Sequence, residues 1–363
     1  MDNEKNSGKK QTTEELLGAS GVSSESQKDA GFFRKFVDSS VFWVIVFEAF
    51  LLVFFSVFSP SGTFATTTNL FNIAFNASQI MLLSVGLTYV ITSGYFDNSV
   101  GMVLIVTSVV SAKAFKAVAG TPEEIAEGLY PHMGLGIFVM ILVAVLLGAL
   151  CGAVNGFFTT TLRLDAFIGT LGSMYIFQGA GLVISNGTLE KGLPRDFQTY
   201  FGHAKLFGLI PYPLIMAVAV GLFLLFIMKK TRFGVYVRAV GSNEQAAKRA
   251  GIKVAFIRYM VFVLMGILCS LAGMIDVFRF ATTNPSGHIT DSMMAIMASV
   301  MGGTSMSGGK PSIEGAIIGS LIPVTLQMGM VVLRINSYYQ YIAMGIFVVI
   351  AVYLDILRNK KTN

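Results

Sequence analysis

The amino-acid sequence predicts an all-α fold: a polytopic helical membrane protein of about ten transmembrane spans, with broken or re-entrant helices. Three observations carry this expectation. Apolar residues make up 54% of the 363 and charged residues only 13%, against about 25% charged in a soluble domain. The mean hydropathy is +0.69, and several apolar runs approach the ~20 residues that cross a hydrocarbon core. Lysine and arginine collect in alternate connections between these runs, as retained cytoplasmic loops require.

Residues 1–36 are rich in Ser, Lys, Glu and Gly with almost no apolar periodicity, so they read as a disordered cytoplasmic tail. No apolar stretch there precedes a small-residue cleavage site, and a cleaved signal peptide is not expected. Residues 37–358 form one transmembrane domain and 359–363 a short cytoplasmic tail. The spans are expected near 41–58, 72–93, 100–118, 134–158, 166–185, 208–228, 256–279, 291–302, 312–333 and 338–357. An even count places both termini on the cytoplasmic side, and 19 of the 26 Lys and Arg then fall in tails or inner loops. Lys113 and Lys116, at the outer end of the third span, run against the rule and are expected to snorkel to the headgroups.

Two connections look like breaks in helices. One is Ser93 to Ser99, restarting at Asn98 or Ser99. The other is Gly302 to Pro311, restarting at Ser307 or Pro311, and the span before it is short. Non-helical backbone at membrane depth is tolerated where it is buried in protein or lines a cavity, and paired breaks mark the pathway of many transporters. Ordinary tight turns at the inner surface fit the same residues. Small residues at four-residue spacing, Gly148, Gly152 and Gly156 and again Gly315 and Gly319, predict close helix packing within the subunit or across a dimer.

The longest polar interruption runs from Lys229 to Arg258, with eight Lys or Arg and one acid, Glu244. Within it Ser242 and Gln245 have capping-box spacing, Glu244 and Lys248 are a favourable pair, and Gly251 can end the helix. A small helix over 242–250 is therefore expected. Ala246, Ala247 and Ala250 would give it a low surface for a partner.

No catalytic constellation is found. Lys310 is followed by Pro311 and the first glycine is misplaced for a phosphate loop. His132, His203 and His288 are expected in separate outer loops with no Cys or carboxylate at ligand spacing. Cys151 and Cys269 lie in apolar runs as small buried hydrophobes, so no disulfide and no metal site is implied. No cofactor is expected, and the +6 charge reflects retained loops rather than a nucleic-acid partner. Uncharged polar residues are scattered through the spans: Asn76, Gln79, Ser84, Thr88, Tyr89, Asn155, Thr170, Tyr175, Gln178 and Gln327. They can bond sugar hydroxyls or one another, and Phe177 can stack on a pyranose. Glu48 is read as the one acid in the middle of a span, protonated or paired rather than ion-coupling.

Four stretches resemble the ribose/galactose-type ABC importer permeases, the inner-membrane family of binding-protein-dependent sugar transport. They are Gly241-Ser-Asn-Glu-Gln-Ala-Ala-Lys-Arg-Ala-Gly251, Gly94-Tyr-Phe-Asp-Asn-Ser-Val-Gly101, Ala166-Phe-Ile-Gly-Thr-Leu-Gly-Ser-Met174 and Gly302-Gly-Thr-Ser-Met-Ser-Gly-Gly309. The resemblance covers roughly residues 40–358. It implies a bacterial plasma-membrane permease that moves a monosaccharide or similar small polar solute. It also implies two cytoplasmic ATP-binding subunits, an extracellular or periplasmic sugar-binding protein, and a second permease copy or paralogue in the lipid bilayer. ATP hydrolysis is then expected in a partner. Residues 229–256 become the cytoplasmic coupling loop, with Gly241, Asn243, Glu244, Ala246, Ala247 and Gly251 as coupling residues. Candidates for the translocation path are Asp97, Asn98, Ser99, Asn155, Gln178, Gly302 and Gly303. The chain departs from the family at Tyr95, Phe96 and Asn98, and Ser292 and Met294 stand where the family tends to carry acids, leaving the displaced Asp291. An ion-coupled secondary transporter, or a permease of the nucleoside/autoinducer type, is the alternative.

Overall fold

The computed structural model of the protein describes residues 40–360. The tail expected over 1–36 and the last three residues lie outside them. Helix α1 covers Ser40–Phe58, α2 Thr67–Thr92, α3 Val100–Ala119, α4 Met133–Gly156, α5 Ala166–Ser185 and α6 Tyr212–Lys230. The basic stretch holds α7 (Arg232–Ser242) and α8 (Glu244–Arg249). Then follow α9 (Val254–Phe280), α10 (Asp291–Met301), α11 (Ile313–Gly319), α12 (Leu321–Val332) and α13 (Ser337–Lys360).

Eight of the expected spans are helices long and apolar enough to cross a membrane, counting α11 and α12 as one and extending α4 in wider turns to Thr161. The other two differ. Helix α10 has 11 residues, about 16 Å at 1.5 Å per residue, so it reaches only half-way. Helix α13 has 24 residues, of which Tyr338–Tyr353 are the apolar part.

Burial sorts the helices. Helices α2 and α9 are 72% buried along their most apolar stretches, whereas α1, α4, α5 and α6 are 22–28% buried. The first pair is therefore the centre of the bundle. The second group turns Trp43, Phe50, Phe138, Ile168 and Phe223 outward, where lipid solvates them. The small-residue ridges pack inside this chain. A Cβ on Gly148 would lie 2.4 Å from the Gly266 carbonyl, and one on Gly152 2.2 Å from that of Phe262, so α4 and α9 meet backbone to backbone.

At the end of the bundle away from α8, Lys113 lies 3.1 Å from Glu190 and Lys116 bonds the same carboxylate. These lysines are ion-paired rather than snorkelling. Burial opposes the charge on Glu190, but the two ammonium groups outweigh it and hold its carboxyl below the usual range. Glu190 also exchanges two 3.1 Å backbone bonds with Thr283, tying the α5–α6 connection to the segment after α9. A short antiparallel pair, β1 (Lys205–Leu206) with β2 (Ile210–Pro211), closes that connection.

Glu48 on α1 accepts a 2.6 Å bond from Thr325 on α12, and its other carboxylate oxygen has no partner among the described residues. A charge would be poorly compensated there, so the site suits an uncharged group. Glu48→Gln keeps the Thr325 bond, and uptake by the variant should stay within about twofold of wild type. A loss of uptake with normal membrane levels would instead assign Glu48 to ion coupling.

Candidate coupling site and translocation path

The basic stretch is two helices rather than a loop with one. Thr231 caps α7 by accepting from the Gly234 amide at 3.4 Å, and α7 buries Gly234, Val237 and Val240 on one face. Ser242 ends α7, so the cap of α8 is Asn243, whose side chain accepts from the Ala246 amide at 2.9 Å. Asn wins because its carbonyl reaches the third amide of the new helix from an extended backbone. Glu244 lies in the first turn and Lys248 and Arg249 in the last, matching the helix dipole. Gly251 ends the element in a left-handed conformation, φ +81°. Gln245, Ala246, Lys248, Arg249 and Ala250 are exposed, whereas Ala247 is buried in this chain's own core. Ala247 therefore positions α8, and Ala246 and Ala250 carry its outer surface.

Helix α8 is tied to both helix breaks. Glu244 accepts a 2.7 Å bond from Arg258 Nη1 at the start of α9. The same guanidinium donates to the Ser93 carbonyl at 3.2 Å and the Tyr95 hydroxyl at 3.1 Å, and lies 4.1 Å from the Tyr95 ring centre. Ser93 and Tyr95 open the first break, so a side chain at one of the family departures takes part in the contact. Hydrogen bonds from Lys248 and Arg258 hold the Glu244 carboxyl below its ordinary range. A depressed carboxyl keeps these contacts above its unfolded pKa and loses them as pH falls through the folded value. Two residues before the cap, a Cβ on Gly241 would lie 1.7 Å from the Thr92 carbonyl, at the end of α2, and 2.8 Å from the Gly309 amide in the second break. Gly309 N–H in turn donates to that Thr92 carbonyl at 2.9 Å.

Most of the path candidates form a joint. Asp97 Oδ1 accepts from the Ser99 amide at 2.8 Å and its hydroxyl at 2.6 Å. Asn155 on α4 donates to Ser99 Oγ at 2.7 Å and to Asp97 at 3.4 Å. The Asn98 amide donates to Thr170 on α5 at 3.1 Å, and its carbonyl accepts from Ser292 on α10 at 3.0 Å. Asp97, Asn98, Ser99 and Asn155 are buried and bonded to one another or to neighbouring helices, so the network fixes the start of α3 against α4, α5 and α10. Ser99 is the N-cap of α3, but its hydroxyl points to Asp97 rather than to the helix. Gln178 sits half-buried on α5 outside this network. Gly302 packs on the Gly315 backbone, and Gly303 turns the chain at φ +100°. The second break restarts at Ser312, later than Ser307 or Pro311, and the Ser312 hydroxyl donates to the Gly302 carbonyl at 2.7 Å.

A second polar group was not assembled from the sequence. His288 Nδ1 lies 2.8 Å from Asp291 and Nε2 3.4 Å from Asp276, and the Gln79 amide is 3.2 Å from Nδ1. His288 thus has two carboxylate partners, and Asp276, buried near the end of α9, is an acid in a span besides Glu48. The three-residue step from His288 to Asp291 is the signal that the sequence carried. Asp276 joins through the left-handed turn at Ala281, φ 49°, which folds residues 281–290 back along α9. His288 is itself left-handed, φ 58°, and a Cβ on Gly101 would lie 2.2 Å from its carbonyl. Only glycine at the start of α3 admits that approach. Burial opposes a charge on His288, but the Asp291 and Asp276 carboxylates outweigh it and raise the imidazole to about 10.

Residues 69–352 match the family described as branched-chain amino acid transport system / permease component. The chain is 36% identical over 315 residues to the ribose import permease protein RbsC of Escherichia coli K12, covering 86% of this chain and 92% of the relative. It is 34% identical over 312 residues to the D-allose transport system permease protein AlsC of the same strain, covering 86% and 90%. The L-arabinose transport system permease protein AraH of that strain is 32% identical over 319 residues, covering 87% and 90%. No solved structure matches.

Proposed function

Since the chain belongs to the branched-chain amino acid transport system / permease component family, we propose that it is the membrane-spanning subunit of an ATP-driven importer for a monosaccharide. These relatives are named for ribose, allose or arabinose, which supports a pentose or hexose as solute. In this reading two ATP-hydrolysing subunits dock on α8 from the cytoplasm. A binding protein delivers solute at the opposite end, and a second permease copy or paralogue completes the core in the bacterial plasma membrane.

One observation carries the coupling: α8 presents an exposed outer face while Arg258 ties its Glu244 to the first break, and Gly241 of the adjoining α7 packs on Thr92 and on Gly309 of the second break. A rigid element docked on a moving ATPase passes displacement to packed neighbours that have discrete arrangements. Sidedness follows from charge, because the basic α7–α8 region is the kind of loop retained in the cytoplasm. Both termini then lie on that side. Asp355 near the end of α13 accepts from the Met306 amide in the second break at 3.0 Å. Glu48 meets Thr325 and Phe55 meets Gly329, so α1 runs parallel to α12 and starts at the α8 end.

The test is purification of the complex from its native membrane, for wild type and for Ala246→Asp with Ala250→Asp. Both positions are exposed, so the variant keeps its fold. An ATPase should accompany wild type and be lost from the variant, with uptake lost in parallel. Recovery of no ATPase with wild type, from membranes that yield other complexes intact, would sink the reading. A proton-coupled carrier is the second reading, and the buried Asp276–His288–Asp291 group speaks for it. Uptake that survives ATP depletion while the proton gradient is held would favour that carrier.

A further inference from the structure

The Asp276–His288–Asp291 group is one wall of a cavity of about 240 Å³ between α2, α9, α10 and α12. Asn76 and Gln79 line it from α2, Gln327 from α12, and the Phe280 ring from the end of α9. The cavity lies in the half of the bundle away from α8. None of the path candidates suggested by the sequence motifs borders it.

Its chemistry defines a ligand class. Two carboxylates, Asp276 and Asp291, face the His288 imidazolium. The Arg279 guanidinium is next to them, bonded to Asn76 and lying 3.4 Å from Asn72. Arg279 stands beside the cavity without lining it; counted with it, two negative and two positive groups cancel, so the site is strongly polar with little net charge to attract an ion. The single Nδ1–H of a charged imidazole is already taken by Asp291 at 2.8 Å, so Gln79, whose amide nitrogen lies 3.2 Å from Nδ1, keeps its own donor and acceptor capacity for a ligand. Gln327 makes no hydrogen bond among the described residues. The carboxylate oxygens still have lone pairs to accept from hydroxyl groups. A molecule that fits must donate and accept at several points, carry no net charge, and offer one apolar face to Phe280. That is the pattern of a sugar ring.

We propose that this cavity is a solute-binding station of the permease itself, selective for a neutral polyhydroxylated ring of monosaccharide size. It rests on the importer reading for its place on a transport path, but its ligand can be tested without the ATPase.

The test uses the full-length permease in detergent with Gln327→Cys. Cys151 and Cys269 are buried and should react little. Gln327 is only half-buried, so the substitution should leave the fold intact. Labelling of the new thiol by a small methanethiosulfonate is followed with D-ribose, D-allose, L-arabinose or ribose 5-phosphate present. At least one neutral sugar should slow labelling about tenfold at about ten times its dissociation constant. Ribose 5-phosphate should leave the rate unchanged, and adding Gln79→Leu should abolish the protection. Protection by none of the three sugars at tens of millimolar overturns the proposal. So does equal protection by ribose 5-phosphate, and so does a thiol that never reacts, because the cavity would then be closed to solute. Loss of ATPase co-purification, measured separately on wild type, would fail the importer reading and leave this result standing.

Discussion

Gly241→Ala will abolish most uptake while leaving the ATPase bound. The added Cβ would lie 1.7 Å from the Thr92 carbonyl and 2.8 Å from the Gly309 amide. Both obstacles are backbone, one at the end of α2 and one in the second break, so no side-chain rotation relieves the overlap. Overpacking of this kind costs about 1–3 kcal/mol, and relief requires α7 to move away from both breaks. The docking face of α8 is untouched, so assembly persists while the transmitted displacement is lost. Uptake should fall by about tenfold or more, as roughly 1.4 kcal/mol of misplaced geometry implies. Gly251→Ala is the control. Gly251 has open space around it but a φ of +81°, so the substitution costs about 1–2 kcal/mol of local strain and should reduce uptake less. Near-normal uptake by Gly241→Ala, measured with ATPase recovery in the same membranes, would show that this contact transmits nothing.

Arg258→Ala will uncouple hydrolysis from transport. Arg258 is 8% exposed and joins Glu244 of α8 to the Ser93 carbonyl and Tyr95 hydroxyl of the first break. Its removal frees that break from α8. Glu244 is left with Lys248 and with solvent, so no buried charge is stranded and the protein should still assemble. In proteoliposomes of the whole complex, ATP hydrolysis should persist while uptake falls by about 10–100-fold, the scale of loss that misplacement of a working element produces. Arg258→Lys should not rescue it, because a single ammonium group cannot reproduce the forked donation to three acceptors. Glu244→Gln should be milder, since a side chain 39% exposed contributes about 0.2–1 kcal/mol through its ion pairs. Normal uptake per ATP in Arg258→Ala would remove this residue from the coupling route.

Much of the architecture was legible along the chain because bilayer thickness acts locally. A run such as 134–158 or 256–279 must be helical and apolar wherever it packs, and the basic residues from Lys229 to Arg258 mark a stretch outside the hydrocarbon without any contact being known. Helix α8 was legible for the same reason, since its dipole-matched charges and terminal glycine are separated by a few residues. Its cap was misplaced by one residue, because α7 extends through Ser242 and only the amphipathic face of Gly234, Val237 and Val240, packed on the bundle, makes α7 a helix. The half-length of α10 was visible in outline as a short span.

Contacts between distant segments were a different matter. Asp97, Ser99 and Asn155 carry the polarity expected of a path, yet 56–58 residues separate Asn155 from the groups that it bonds, and their packing makes them a joint. Asp276, His288, Gln79 and Gln327 come from four separate elements, and local periodicity cannot tell that they face one another. The left-handed turn at Ala281 and the close approach of Gly101 to His288 bring them together. The spans and the short helix α8 follow from forces that act on each residue and its near neighbours. Which polar side chains share a cavity depends on where helices cross, and the folded bundle alone sets that.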